Sequence, residues 1–160
     1  MILIIDLIII ILLGIIVYQD FKYRLIHILV LLFIFIVGLL RNILNDISFF
    51  NFLRPALFIS VILFFLWFYL IIKSKKIINP LDKHIGLGDI LFFFSITPFF
   101  TLKDYIIYFI SGLLFSIIFA LFFKNYIEKK MIPLAGLLSI ALIILIFLRN
   151  LFTYNLFNFY

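Results

Sequence analysis

Of the chain's 160 residues, 68% are hydrophobic and 21% aromatic, only 12% are charged, and the net charge is +6. A soluble domain has about half its residues apolar and about a quarter charged, so a water-soluble fold is excluded and a lipid bilayer is the solvent that fits. Cysteine is absent, which removes disulfides, thiolate metal sites, cysteine nucleophiles and haem attachment through cysteine.

The first apolar run, Ile2 to Tyr18, lacks the basic start and small-residue cleavage site of a signal peptide and reads as a retained helix. Five more follow: Leu25–Leu40, Pro55–Ile72, Leu87–Leu102, Tyr105–Phe123 and Pro133–Leu148. Each is near the length of about 20 residues that crosses a bilayer; the fourth is short and contains Pro98. The expectation is an all-α, polytopic transmembrane bundle of about six helices, residues 1–160 forming one domain. Gly112, Ser116 and Ala120, four residues apart on the fifth run, suit close helix approach.

Basic residues in the short connections set orientation. Lys22, Arg24, Lys73, Lys75, Lys76, Lys83, Lys124, Lys129 and Lys130 follow the first, third and fifth runs, against Arg41, Arg54, Lys103 and Arg149 on the other side. That bias puts the first group in the cytoplasm, the N-terminus outside, and the protein in the inner membrane. The scattering of the same residues argues against nucleic acid as a partner. Tyr18, Trp67, Tyr69, Tyr105 and Tyr126 fall near the expected interfaces, where amphipathic rings prefer to lie. The stretch from Lys73 to Ile85, with Asn79-Pro80 as a turn signal, reads as the mobile part of the chain.

An acid within a membrane span is expensive and has a reason to be there. Asp46, Asp104, Asp82 and Glu128 fall in connections, where solvated, charge-balancing roles suffice. Asp6 reads as a snorkelling or packing residue near the outer face, about 21 Å along the first helix from Asp20. Asp20 follows the first run and Asp89 opens the fourth; two full crossings lie between them, so both stand at the same edge of the membrane. Two carboxylates held together share a proton, and one can take a proton from water while the other donates to the leaving group. This is the apparatus of an aspartyl protease, which needs neither metal nor cofactor. His27 and His84, the two histidines, stand in separate connections and make a poor zinc site. Gly86 and Gly88, just before Asp89, carry little bulk and tolerate unusual backbone angles, so a substrate backbone could approach closely.

Gly86-Leu87-Gly88-Asp89 resembles the Gly-x-Gly-Asp signature of type IV prepilin peptidases and archaeal preflagellin peptidases. Asp20 with Ile26 six residues on resembles their first motif, except that His27 stands where Pro is usual. Ile132-Pro133-Leu134 is similar to their late Ile-Pro-Phe segment, and Leu91 occupies a position where Lys is common. The resemblance implies six helices, catalytic Asp20 and Asp89 at the cytoplasmic membrane edge, and cleavage of a short basic leader from a pilin-like precursor. The amino-terminal cysteine domain of the longer, methylating members has no counterpart here, so the chain looks like the short, peptidase-only members. Two other readings compete: an inactive scaffold of a pilus or secretion assembly, and a small ion- or proton-coupled transporter. Carrier sites lie near the midplane, whereas both acids fall at one edge.

Overall fold

The computed structural model describes residues 2–74, 86–123 and 132–152. Six α-helices run through them: α1 (Ile2–Tyr23), α2 (Ile28–Leu44), α3 (Leu53–Ser74), α4 (Leu87–Ser95), α5 (Leu102–Phe122) and α6 (Leu134–Phe152). Short 3-10 turns at Phe49–Phe52 and Thr97–Phe99 precede α3 and follow α4. The all-helical bundle expected from the apolar runs is therefore the fold of these residues. The stretches Ile4–Tyr23, Phe50–Lys73 and Leu102–Phe122 are long and apolar enough to cross a membrane, as befits a membrane protein. Ile28–Leu44, Leu87–Phe99 and Leu134–Leu148 are apolar but shorter.

Helix α1 continues five residues past Tyr18, because nothing in Gln19-Asp20-Phe21-Lys22-Tyr23 breaks it. It ends at Arg24, whose backbone turns left-handed (φ 57°) and whose amide donates to the Asp20 carbonyl at 3.1 Å. Asp20 thus lies inside the last turn of α1, not beyond it. His27 then caps α2, its Nδ1 accepting from the Leu29 amide at 3.4 Å.

The fourth run departs most from expectation. Instead of one crossing helix from Leu87 to Leu102, α4 has nine residues, about 13 Å against a hydrocarbon core of about 30 Å. The Ser95 and Thr97 hydroxyls turn back onto the Phe92 and Phe94 carbonyls, each at 2.8 Å. Such bonds bend helices, and Pro98 has no amide hydrogen with which to continue the ladder. The chain tightens into the Thr97–Phe99 turn and packs on α2 at Gly38.

Helices α1 and α6 form the longest contact and run antiparallel. On α1 the buried positions Asp6, Ile9, Leu13, Ile16 and Asp20 follow a 3-4-3-4 spacing, one stripe of a helix. On α6, Ala135, Leu138, Leu142 and Ile146 answer it, and α2, α4 and α5 add Ile34, Phe92 and Tyr108 to the same core.

Asp6 takes the packing role of the two expected for it, buried on the stripe and ion-paired with Arg41 of α2 at 3.1 Å. Two other polar expectations change. Asp104 is not solvated. It is 7% exposed in the first turn of α5, where it accepts from Thr101 Oγ1 at 2.6 Å while its own amide donates back at 3.2 Å. Tyr105 is no interface ring, being fully buried with its hydroxyl donating to the Phe93 carbonyl at 2.9 Å. Lys73 and Ser74 belong to α3; residues 75–85, the rest of the stretch expected to be mobile, Asp82 and His84 among them, lie outside the described residues, as do Tyr126 and Glu128.

Candidate active site

The amino end of α6 organises the site. The first amides of a helix have no intrahelical acceptor and are ordinarily met by a side-chain oxygen of the capping residue. Here the residue before Leu134 is Pro133, which has no such oxygen. Two carboxylates from elsewhere in the chain take its place. Asp89 Oδ1 accepts from the Ala135 amide at 3.0 Å, and Asp20 Oδ2 accepts from the Gly136 amide at 2.6 Å. The donors are consecutive residues, so one helix terminus gathers two acids separated by 69 positions in the sequence.

Each acid has its own reason for needing that partner. Asp20 stands in the last turn of α1, where the helix dipole disfavours negative charge, and it is 6% exposed. Amides at the opposite pole of α6 compensate, since a helix amino end favours anions. Asp89 is the third residue of α4, a position where a carboxylate suits that helix's own dipole. It is half-buried, and its amide donates to the Gly86 carbonyl at 3.1 Å. The two acids and the α6 terminus thus form a patch of acceptors and donors at one end of the bundle, partly shielded from solvent.

The two glycines differ in their surroundings. Neither has a positive φ; Gly86, at φ −67° and ψ 136°, is the exposed residue from which α4 starts. A methyl group there would stand 3.0 Å from Asp89 Oδ2. Gly88 faces inward, with Ile26 3.3 Å from where its Cβ would be. It is a packing glycine, and what it packs against is the Ile26 of the first motif. The segments around Asp20, Asp89 and Pro133 therefore converge on one place.

Two participants escaped the sequence reading, Ala135 and Gly136. The available signal was a small pair directly after Ile132-Pro133-Leu134. A Cβ on Gly136 would lie 3.0 Å from the Phe21 ring and 3.1 Å from Asp20 Oδ2, so only glycine admits the carboxylate so closely. His27, the departure from the first motif, has φ −72°, within the range of proline. Its amide nevertheless donates to Gln19 Oε1 at 3.0 Å, a bond proline could not make. Leu91, the other departure, packs against the core.

No three His, Cys, Asp or Glu side chains group as a metal site among the described residues. Among known proteins, no family profile, no curated sequence and no solved structure matches the chain. The residues themselves carry the functional argument.

Proposed function

We propose that the protein is an intramembrane aspartyl endopeptidase of the prepilin-peptidase kind, with Asp20 and Asp89 as its catalytic pair. The observation behind this reading is that both carboxylates are held by consecutive amides at the start of α6. Fixed there, one acid withdraws a proton from an attacking water while the other protonates the carbonyl oxygen and then the departing amine. The amides hold each carboxylate in position, leaving its second oxygen for the reaction. The substrate is a pilin-like precursor whose short basic leader is cut at the cytoplasmic membrane edge. The proposed orientation, from the excess of Lys and Arg after the first, third and fifth runs, puts that edge and the pair in the cytoplasm of the inner membrane.

Cleavage of a panel of pilin-like precursors by the detergent-purified protein tests the reading. Asp20→Asn and Asp89→Asn should each lower the rate by about a thousandfold or more while insertion and thermal unfolding stay unchanged, and the double variant should be no worse than either single one. Asp89→Asn cleaving at the wild-type rate would refute the pair.

A further inference from the structure

Arg24 stands four residues beyond Asp20 and is unusual in two ways. It is one of two residues other than glycine with positive φ among the described residues, at 57°, a conformation that a bulky side chain enters only where its surroundings enforce it. Its Nη1 is also shut off from solvent, yet meets no acceptor among the described residues. A buried donor without a partner is destabilising and calls for an explanation. The neighbouring anion does not supply one. The guanidinium is near enough to act electrostatically on Asp20, but the two do not close into an ion pair.

A peptide drawn out of its helix for cleavage has the complementary deficit. Its carbonyls lose their intrahelical donors, and at the edge of a bilayer little water replaces them. Taking the peptidase reading as given, we infer that Arg24 is a positioning residue that donates to a main-chain carbonyl of the extended substrate, next to the scissile bond. Arg24 leaves the helical backbone at the left-handed turn ending α1, while Asp20 stays on the buried stripe. The unpaired nitrogen, near Asp20 and covered in the free protein, gains its acceptor when an entering substrate uncovers it. Arginine suits this task because its guanidinium remains charged and presents donors in a fixed plane.

The test compares wild type, Arg24→Asn and Arg24→Lys on a precursor peptide and on peptides carrying a single thioamide, a poor acceptor, in turn at each residue flanking the cut. Asn tolerates the left-handed backbone, so Arg24→Asn removes the guanidinium without adding strain. Arg24→Asn should raise KM about tenfold, the effect of losing one charge-assisted hydrogen bond, with thermal unfolding nearly unchanged. Its kcat should be nearly unchanged when each protein is measured at its own pH optimum, since the guanidinium also acts on Asp20. Arg24→Lys should recover part of the loss. At one flanking position the thioamide should weaken binding to wild type about as much, and have no further effect in Arg24→Asn, because both changes remove one bond. If wild type cleaves but Arg24→Asn keeps its KM, or no thioamide position couples to it, this inference falls and the peptidase reading stands. A wild type that cleaves no precursor overturns both.

Discussion

At Gly136 the distance between a hydrogen and a methyl group decides whether Asp20 can reach its amide. The would-be Cβ lies 3.0 Å from the Phe21 ring and 3.1 Å from Asp20 Oδ2. Phe21 is 40% exposed and its ring has room to swing. The carboxylate is buried and does not. Gly136→Ala should therefore fold, helped by the better helix propensity of alanine, about 1 kcal/mol, and yet cleave at least about tenfold more slowly as Asp20 is pushed off its donor. Parallel measurements of cleavage rate and thermal unfolding would check this, and full activity in Gly136→Ala would mean that the close approach is incidental. His27→Pro, which restores the residue usual in the resembled motif, should destabilise by about 0.5–2 kcal/mol. It loses the bond to Gln19, about 1 kcal/mol, and the Nδ1 cap on the Leu29 amide, about 0.5–2 kcal/mol. A proline at a compatible φ returns only about 0.4–1 kcal/mol through the unfolded state.

Helix-scale behaviour turns on which faces meet protein and which meet lipid. Gly14 and Gly38 make the contrast. Around Gly14, in the middle of α1, nothing lies within 4 Å of a built Cβ, whereas at Gly38 the same atom would come 2.9 Å from both Pro98 Cβ and the Phe99 ring. Proline cannot rotate aside. Gly14→Ala should stabilise by about 0.5–1 kcal/mol, the ordinary gain in a helix interior. Gly38→Ala should destabilise by about 1–3 kcal/mol, as overpacking does, because α2 must separate from the Thr97–Phe99 turn. Denaturant titration in mixed micelles would compare them, and equal shifts of the same sign would contradict the packing of that turn on α2. Tyr108 joins α5 to the site-bearing helix: its hydroxyl donates to the Leu138 carbonyl at 2.8 Å, and Gly112 one turn further on lies directly against the Leu138 side chain. The close approach expected of the Gly112 face is thus made to α6.

Over the whole molecule, the apolar runs made the number and order of helices legible, because length and hydropathy suffice for that. They could not reveal the inward faces. In a bilayer the lipid-facing residues of α1 are as apolar as Ile9, Leu13 and Ile16, so the stripe lacks the polar contrast that marks a soluble amphipathic helix. The break after Ser95 was hidden for a related reason: Pro98 was visible, but its effect depends on where the Ser95 and Thr97 hydroxyls turn. The meeting of Asp20 and Asp89 at one end followed from counting crossings; the amides that hold them did not, since Ala135 and Gly136 carry no chemistry of their own.

The stripe on α1 has an acid at each end, and the two ends should behave in opposite ways. Asp6 and Arg41 are both almost fully buried and paired at 3.1 Å, about 21 Å along the helix from Asp20. Arg41→Met leaves a buried carboxylate without its counter-charge and should destabilise by about 3–5 kcal/mol, whereas replacing both members with Asp6→Leu and Arg41→Met should recover most of that loss. The cleavage rate per folded molecule should stay at the wild-type level in both, because the change is remote from the α6 amides. Asp20→Asn should show the reverse, with stability kept and cleavage lost. Unfolding titrations and single-turnover cleavage on the same three preparations separate the two effects. Unchanged stability in Arg41→Met would mean that the pair is solvated in the membrane. A slowed chemical step in molecules that remain fully folded would mean that the distant pair helps set the position of Asp20 through α1.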